Sequence, residues 1–164
     1  MSDRVSRREW LAGMARLVAG GSVMSAMVAR RPAGGDAGAP RRIVVYKDPA
    51  CGCCTKWLPQ LRAAGFEVET HDRGDMDAFK DSVGVPVALR SCHTAVAGRF
   101  LVEGHVPAAD VARLLAKPPA GIVGLAVPGM PAGSPGMEMG GRRDRYDVVA
   151  FRANGATSVF ASHA

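Results

Sequence analysis

The chain has 164 residues, with Lys+Arg 21 against Asp+Glu 15, a formal charge of +6 and only 5% aromatic residues. That length suits one domain, large enough to bury a core without disulfide staples. The basic excess is divided evenly: residues 1–40 carry six basic and three acidic side chains, residues 41–164 fifteen and twelve. No Lys/Arg stripe is interleaved with aromatics, so nucleic-acid binding finds little support.

The first segment reads as an address rather than as structure. Ser6-Arg7-Arg8-Glu9-Trp10-Leu11 pairs two arginines with a following hydrophobic residue, and an apolar Gly/Ala-rich stretch runs from Leu11 to Ala29, broken by Arg16. This resembles a twin-arginine export signal. The alternative is a membrane anchor, but Arg16 and the glycines Gly13, Gly20 and Gly21 oppose a stable spanning helix. Ala37-Gly38-Ala39 has the small-x-small pattern of a cleavage site, although Pro40, which hinders cleavage, follows it. The expected division is residues 1–39 as signal and linker and residues 40–164 as the working domain. That domain is expected in the periplasm, an oxidising compartment, with membrane contact only during export.

From Arg41 to Tyr46 the β-branched run predicts a strand, ended by Asp48-Pro49. Trp57, Leu58, Leu61 and Ala64 recur at helical spacing across Thr55 to Ala64, and Gly65 stops that helix. Phe66 to Thr70 alternates apolar and acidic residues as a half-exposed strand does, and Asp75 to Ser82 reads as a short helix with Met76 and Phe79 on one face. Val85-Pro86-Val87 is expected to open another extended segment, with Ala95 to Val102 pairing in a hairpin that turns near Gly98. Pro107 to Lys117 is a helix whose inward side holds Val111, Leu114 and Leu115, stopped by Pro118-Pro119. Gly121 to Gly141 is Gly/Pro-rich, contains Met130, Met137 and Met139, and has the composition of a loop without packed elements. Asn154-Gly155 between Tyr146–Phe151 and Thr157–Ala161 is a hairpin signal. No internal repeat is evident.

This order, β-α-β-α-β-β-α, is that of a thioredoxin-like core: an α/β fold with a mixed sheet and flanking helices, followed here by a Gly/Pro/Met-rich loop and a C-terminal β-hairpin. Cys51 and Cys54 keep the C-x-x-C spacing at a strand-to-helix junction, Pro59 falls where thioredoxins carry a kinking proline, and Val85-Pro86 sits where that fold has a cis-proline turn. A helix N-terminus presents unpaired N–H groups and positive potential, both of which favour thiolate, and Lys56 adds charge nearby. Cys51-Gly52-Cys53-Cys54 holds three of the four cysteines, and the fourth is Cys92. A dithiol enzyme gains nothing obvious from Cys53, whereas a metal site gains a ligand. Soft thiolates suit Cu(I) or Zn(II). A disulfide-containing thiol cluster and a zinc-stabilised structural domain stay open as alternatives.

The phrases Tyr46-Lys47-Asp48-Pro49 with the C-x-C-C loop, Ser91-Cys92-His93-Thr94, Glu103-Gly104-His105-Val106-Pro107, and Val127-Pro128-Gly129-Met130-Pro131 with Gly133-Ser134-Pro135-Gly136-Met137-Glu138 resemble the CopG-type family, a bacterial periplasmic copper-resistance group of thioredoxin-like fold. The resemblance spans residue 41 to the end. It implies copper bound by Cys51, Cys53, Cys54 and Cys92 with histidine help, as Cu(I) in a multinuclear thiolate cluster whose oxidation state cycles. His93 and His105 are the candidate histidines. His93 adjoins Cys92, and neighbours in an extended segment point to opposite faces, which argues against both facing one metal. His71 lies among charges at a strand end and reads as solvated, and His163 lies at a terminus expected to fray. The methionines are soft Cu(I) donors available for copper capture. The expected function is periplasmic copper binding for resistance or homeostasis, with copper ions and other periplasmic copper-resistance proteins as partners. The alternative is a thiol-disulfide oxidoreductase with Cys51 as nucleophile and Cys54 as resolving thiol.

Overall fold

A computed structural model describes Arg41 to Ala164 with the exception of Met139; the proposed signal segment lies outside the described residues. Seven strands form one mixed sheet in the order β2-β1-β3-β4-β5-β6-β7. In chain order the elements are β1 (Arg41–Lys47), α1 (Gly52–Ala63), β2 (Phe66–Asp72), α2 (Met76–Val83), β3 (His93–Ala97), β4 (Phe100–Glu103), α3 (Ala108–Ala116), β5 (Ile122–Ala126), β6 (Tyr146–Arg152) and β7 (Thr157–His163). The α/β class with a mixed sheet, flanking helices and a terminal β-hairpin is as expected, and this order is compatible with a thioredoxin-like core. β1 and β2 run parallel, as β1-α1-β2 requires, and so do β4 and β5 across α3. The other neighbours are antiparallel.

Alternation of apolar residues along β1 puts Ile43 and Val45 in the core, where Trp57, Leu58 and Leu61 of α1 and Val111 and Leu114 of α3 cover them. Trp57 is fully buried, and its indole N–H donates to the Val106 carbonyl at 2.9 Å, which satisfies the ring's polar atom.

Three sequence expectations change. First, Val85-Pro86-Val87 opens no strand: Val87–Leu89 is a single 3-10 turn, and the described residues contain no cis peptide bond. The hairpin instead forms within one run, β3 pairing with β4 around Gly98, whose φ of +59° is the left-handed conformation glycine favours. Second, the Gly/Pro-rich stretch opens with β5, a strand in the interior of the sheet with Leu125 and Ala126 buried. Ile122 to Val127 is an apolar run short enough for a strand buried on both faces, and the loop composition begins only after it. Gly124 has a packing reason: a Cβ there would stand 2.6 Å from the Phe151 ring. Third, the C-terminus is held rather than frayed. His163 pairs with the buried Asp110 of α3 at 2.7 Å and stacks on Tyr146. Between β6 and β7 only Gly155 takes positive φ, so the hairpin turns through a three-residue loop and not a two-residue Asn-Gly turn.

Candidate metal centre

Cysteines from two distant segments meet at the end of the sheet formed by the C-terminal ends of β1 and β4 and the start of β3. Helix α1 begins three residues before the predicted start, so Cys51 is its N-cap and Cys53 and Cys54 lie in its first turn. The antiparallel register Lys47↔His93 brings the start of β3 beside the end of β1 and delivers Cys92 to the same place. The sulfurs of Cys51, Cys53, Cys54 and Cys92 all lie within 4.8 Å of one another. Cys51 and Cys54 form a disulfide, while Cys53 and Cys92 are free thiols. Cys53 Sγ lies 3.4 Å from Cys51 Sγ and 3.9 Å from Cys92 Sγ. Cys54 is fully buried and Cys51 partly exposed.

A second group shares Cys92. Its sulfur lies 3.2 Å from His93 Nδ1 and 3.1 Å from His105 Nε2. Cys92 occupies a bend just before β3, so strand alternation does not govern the pair, and the expectation that Cys92 and His93 diverge is not met. Both rings are fully buried. His105 Nδ1 lies 2.7 Å from the Pro135 carbonyl, which can only accept. Nδ1 therefore carries the proton and Nε2 turns its lone pair on the sulfur. The His93 ring packs against Trp57 at 4.5 Å and edge-on to His105 at 4.9 Å. Its Nε2 is buried with no hydrogen-bond partner among the described residues.

Burial sets the protonation states. It pushes the Cys92 thiol up to about 12, with Cys53 as the next cause. It holds His93 well below its ordinary value, reinforced by His105 and Lys80, and lowers His105 against the opposing bond from Pro135. The free protein thus presents a protonated thiol between two neutral imidazoles, a donor set ready for a soft cation that displaces one proton.

The loop after β5 packs over this end of α1. Gly136 lies so close that a Cβ would stand 3.0 Å from the Cys53 carbonyl oxygen and from the Trp57 nitrogen, and Gln60 donates to Glu138 at 2.9 Å. Met137 is half-buried beside this contact, Met130 is 54% exposed rather than packed under the loop, and Met139 lies outside the described residues. His71 is exposed and bonded to Glu69 at 2.7 Å, away from the cysteines, as the sequence implied.

Sequence reasoning passed over a buried ion pair behind Cys92. Lys80 and Glu103 bond to each other with side chains 3% and 0% exposed. The Glu103 carboxylate also accepts the Ser91 backbone N–H and the Thr94 hydroxyl, both at 2.6 Å. Burial pushes the Glu103 carboxyl upward, and Lys80 is the strongest opposing influence. The signals were present: Lys80 lies on the Met76, Phe79, Val83 stripe of α2, and Glu103 ends the apolar run Phe100-Leu101-Val102.

A family model described as a protein of unknown function, DUF411, matches residues 89–137, the span that carries Cys92, His93, His105 and the covering loop. Among solved structures, form 2 of a copper resistance protein copG matches with a TM-score of 0.73 and 49% identity, over 77% of this chain and 100% of that one. Form 1 matches with a TM-score of 0.72 and 50% identity, over 76% of this chain and 98% of the other. The chain belongs to the CopG family. None of the curated proteins compared with it matches. The CopG match takes in essentially the whole of the solved chains. Among the described residues no helix is long and apolar enough to cross a membrane.

Proposed function

We propose that this CopG-family chain is a periplasmic copper-binding protein, exported by its twin-arginine-type segment, that captures Cu(I) for copper resistance or homeostasis. The observation that carries this reading is the convergence of four cysteine sulfurs within 4.8 Å of one another, one of them also meeting two imidazoles. Thiolate with imidazole is a soft donor set that suits Cu(I) and disfavours the hard cations. Cys51, Cys53, Cys54 and Cys92 are the proposed thiolate ligands, with His105 and His93 completing the site on the Cys92 side. Four sulfurs this close can bridge several copper ions, and the solved relatives' name, copper resistance protein, agrees with this cargo.

The Cys51–Cys54 disulfide adds a redox condition. In this state only Cys53 and Cys92 offer thiols, and two electrons convert the disulfide to two more thiolates. Two Cu(I) ions oxidised to Cu(II) would release the two electrons that the disulfide takes up, so copper cycling and thiol exchange balance at this site. The second reading, a thiol-disulfide oxidoreductase, is favoured by the same bond: Cys51 is the accessible sulfur and Cys54 the buried one. Resident copper-resistance proteins of the same compartment are the proposed partners for either exchange.

Anaerobic titration of reduced protein with Cu(I) against a competing chelator, with metal analysis, tests the reading. More than one copper retained per chain is expected; none retained sinks it. Insulin-reductase activity that survives Cys53→Ser without copper would favour the second reading.

A further inference from the structure

We propose that Glu103 is a positioning residue for copper capture, holding the Ser91-Cys92-His93 turn so that the Cys92 sulfur stays between His93 and His105, with Lys80 as its fixed counter-charge. The inference rests on the copper reading and extends it to residues that would touch no metal. Ser91, which directly precedes Cys92, is fixed from three directions. Its N–H donates to Glu103 Oε1 at 2.6 Å, and its hydroxyl bonds to the Gly129 carbonyl. Gly104 packs against it so closely that a Cβ there would lie 2.7 Å from Ser91 Cβ. Gly104 N–H also donates to the His93 carbonyl at 2.9 Å, which ties down the other side of Cys92. The next residue, His105, brings its Nε2 to the sulfur. Three consecutive residues at the end of β4 therefore set the turn, admit it and meet its thiol.

The charges need a reason. Lys80 and Glu103 are both taken from water, and a pair of apolar side chains would fill such a space with less desolvation. An apolar residue at 103 would, however, leave the Ser91 N–H without a partner, and the turn free to move away from the histidines. Thr94 completes the network, receiving from Lys80 at 3.0 Å while its hydroxyl donates to Glu103. Every polar hydrogen-bonding atom of the carboxylate is engaged, so the position of Oε1 is fixed by groups on α2 and β3 as well as by its own strand.

Paired variants separate positioning from stability. Lys80→Met with Glu103→Leu removes both charges and the acceptor. Lys80→Met with Glu103→Gln removes the charges but keeps a carbonyl oxygen for Ser91. The Leu pair is expected to bind Cu(I) about 10- to 100-fold more weakly than the parent, the range for partners that orient metal ligands. The Gln pair is expected to recover at least about tenfold over the Leu pair at similar thermal stability. Equal affinity in the two pairs overturns the proposal. If the Leu pair does not fold, Glu103→Asp, which draws the carboxylate back from Ser91, serves in its place; parent-like affinity there overturns it. A copper-free measurement keeps this distinct from the parent reading: in the oxidised chain carrying Cys53→Ser, Cys92 is the remaining free thiol. Its iodoacetamide alkylation is expected to be about tenfold faster with the Leu pair than with the Gln pair, by the same scale of misplacement. Equal rates overturn the positioning role. A parent that binds no copper yet shows this difference sinks only the copper reading.

Discussion

Cys92 is the sulfur shared by the cysteine group and the histidine group, and its proton decides how the site responds to pH. With the thiol pushed up to about 12 by burial, it is protonated throughout pH 6–9, whereas His93 and His105, both lowered, are neutral there. A cation entering must displace the thiol proton and meets no competing proton on the rings. Apparent Cu(I) affinity is therefore expected to rise with pH across 6–9 by about one decade per unit for each thiol proton displaced. Chelator competition at several pH values checks this, and a flat profile would contradict a Cys92 thiolate ligand. His93 gives a separate test. Its buried Nε2 lacks a partner, which costs stability that an apolar side chain of similar size does not. His93→Leu is expected to leave stability unchanged or raise it by about 1 kcal/mol, while weakening copper binding. A destabilised variant with parent affinity would show that the ring serves packing alone.

At the scale of elements, the covering loop is joined to the first turn of α1 through Gly136. This residue has φ +86°, and the atoms a Cβ would press on are backbone, which cannot swing aside. Gly136→Ala carries the left-handed penalty of about 1–2 kcal/mol and adds this close contact. Chemical denaturation is expected to show a loss of at least that size, with faster hydrogen exchange on the α1 first turn; an unchanged midpoint would mean the loop is not seated there. The same loop shows where sequence reading stops. Its Gly and Pro content announced irregular backbone correctly, yet irregular was read as unpacked, and Ser134 is fully buried. Periodicity also found α1, α2, α3 and the β6–β7 hairpin, since each has an apolar side of its own to reveal. β5 and the β3–β4 pairing were hidden for the opposite reason. A strand buried on both faces shows no alternation, and which runs pair depends on long-range register. The cysteines and His105 were legible from residue type and motif order. Lys80 and Glu103 were not, because a lone charge in an apolar pattern gains meaning only when its partner, 23 positions away, is brought opposite it.

For the molecule as a whole, ligand binding and folding share one equilibrium. A site whose donors come from α1, the bend before β3 and the end of β4 exists only when those elements are assembled, so copper bound there stabilises the folded chain. At a free concentration about 100 times the dissociation constant this amounts to about 2.7 kcal/mol. For a body of this size that corresponds to a melting-point rise of roughly 10 °C. Calorimetry on reduced protein with and without buffered Cu(I) is expected to show it, and Cys92→Ser to abolish it. An equal rise in that variant would place the copper elsewhere.

The anchoring of His163 to Asp110 bears on how the chain can be handled. Asp110 receives both His163 and, at 2.9 Å, Arg113, and is itself buried. A purification tag appended beyond Ala164 leaves that clasp intact. Trimming the last two residues strips one of the two cations from an acid enclosed by protein and unfastens the outermost strand. A shortened recombinant version would then expose a sticky sheet margin, and precipitation of such material would reflect the lost clasp rather than a failure of the copper-binding end.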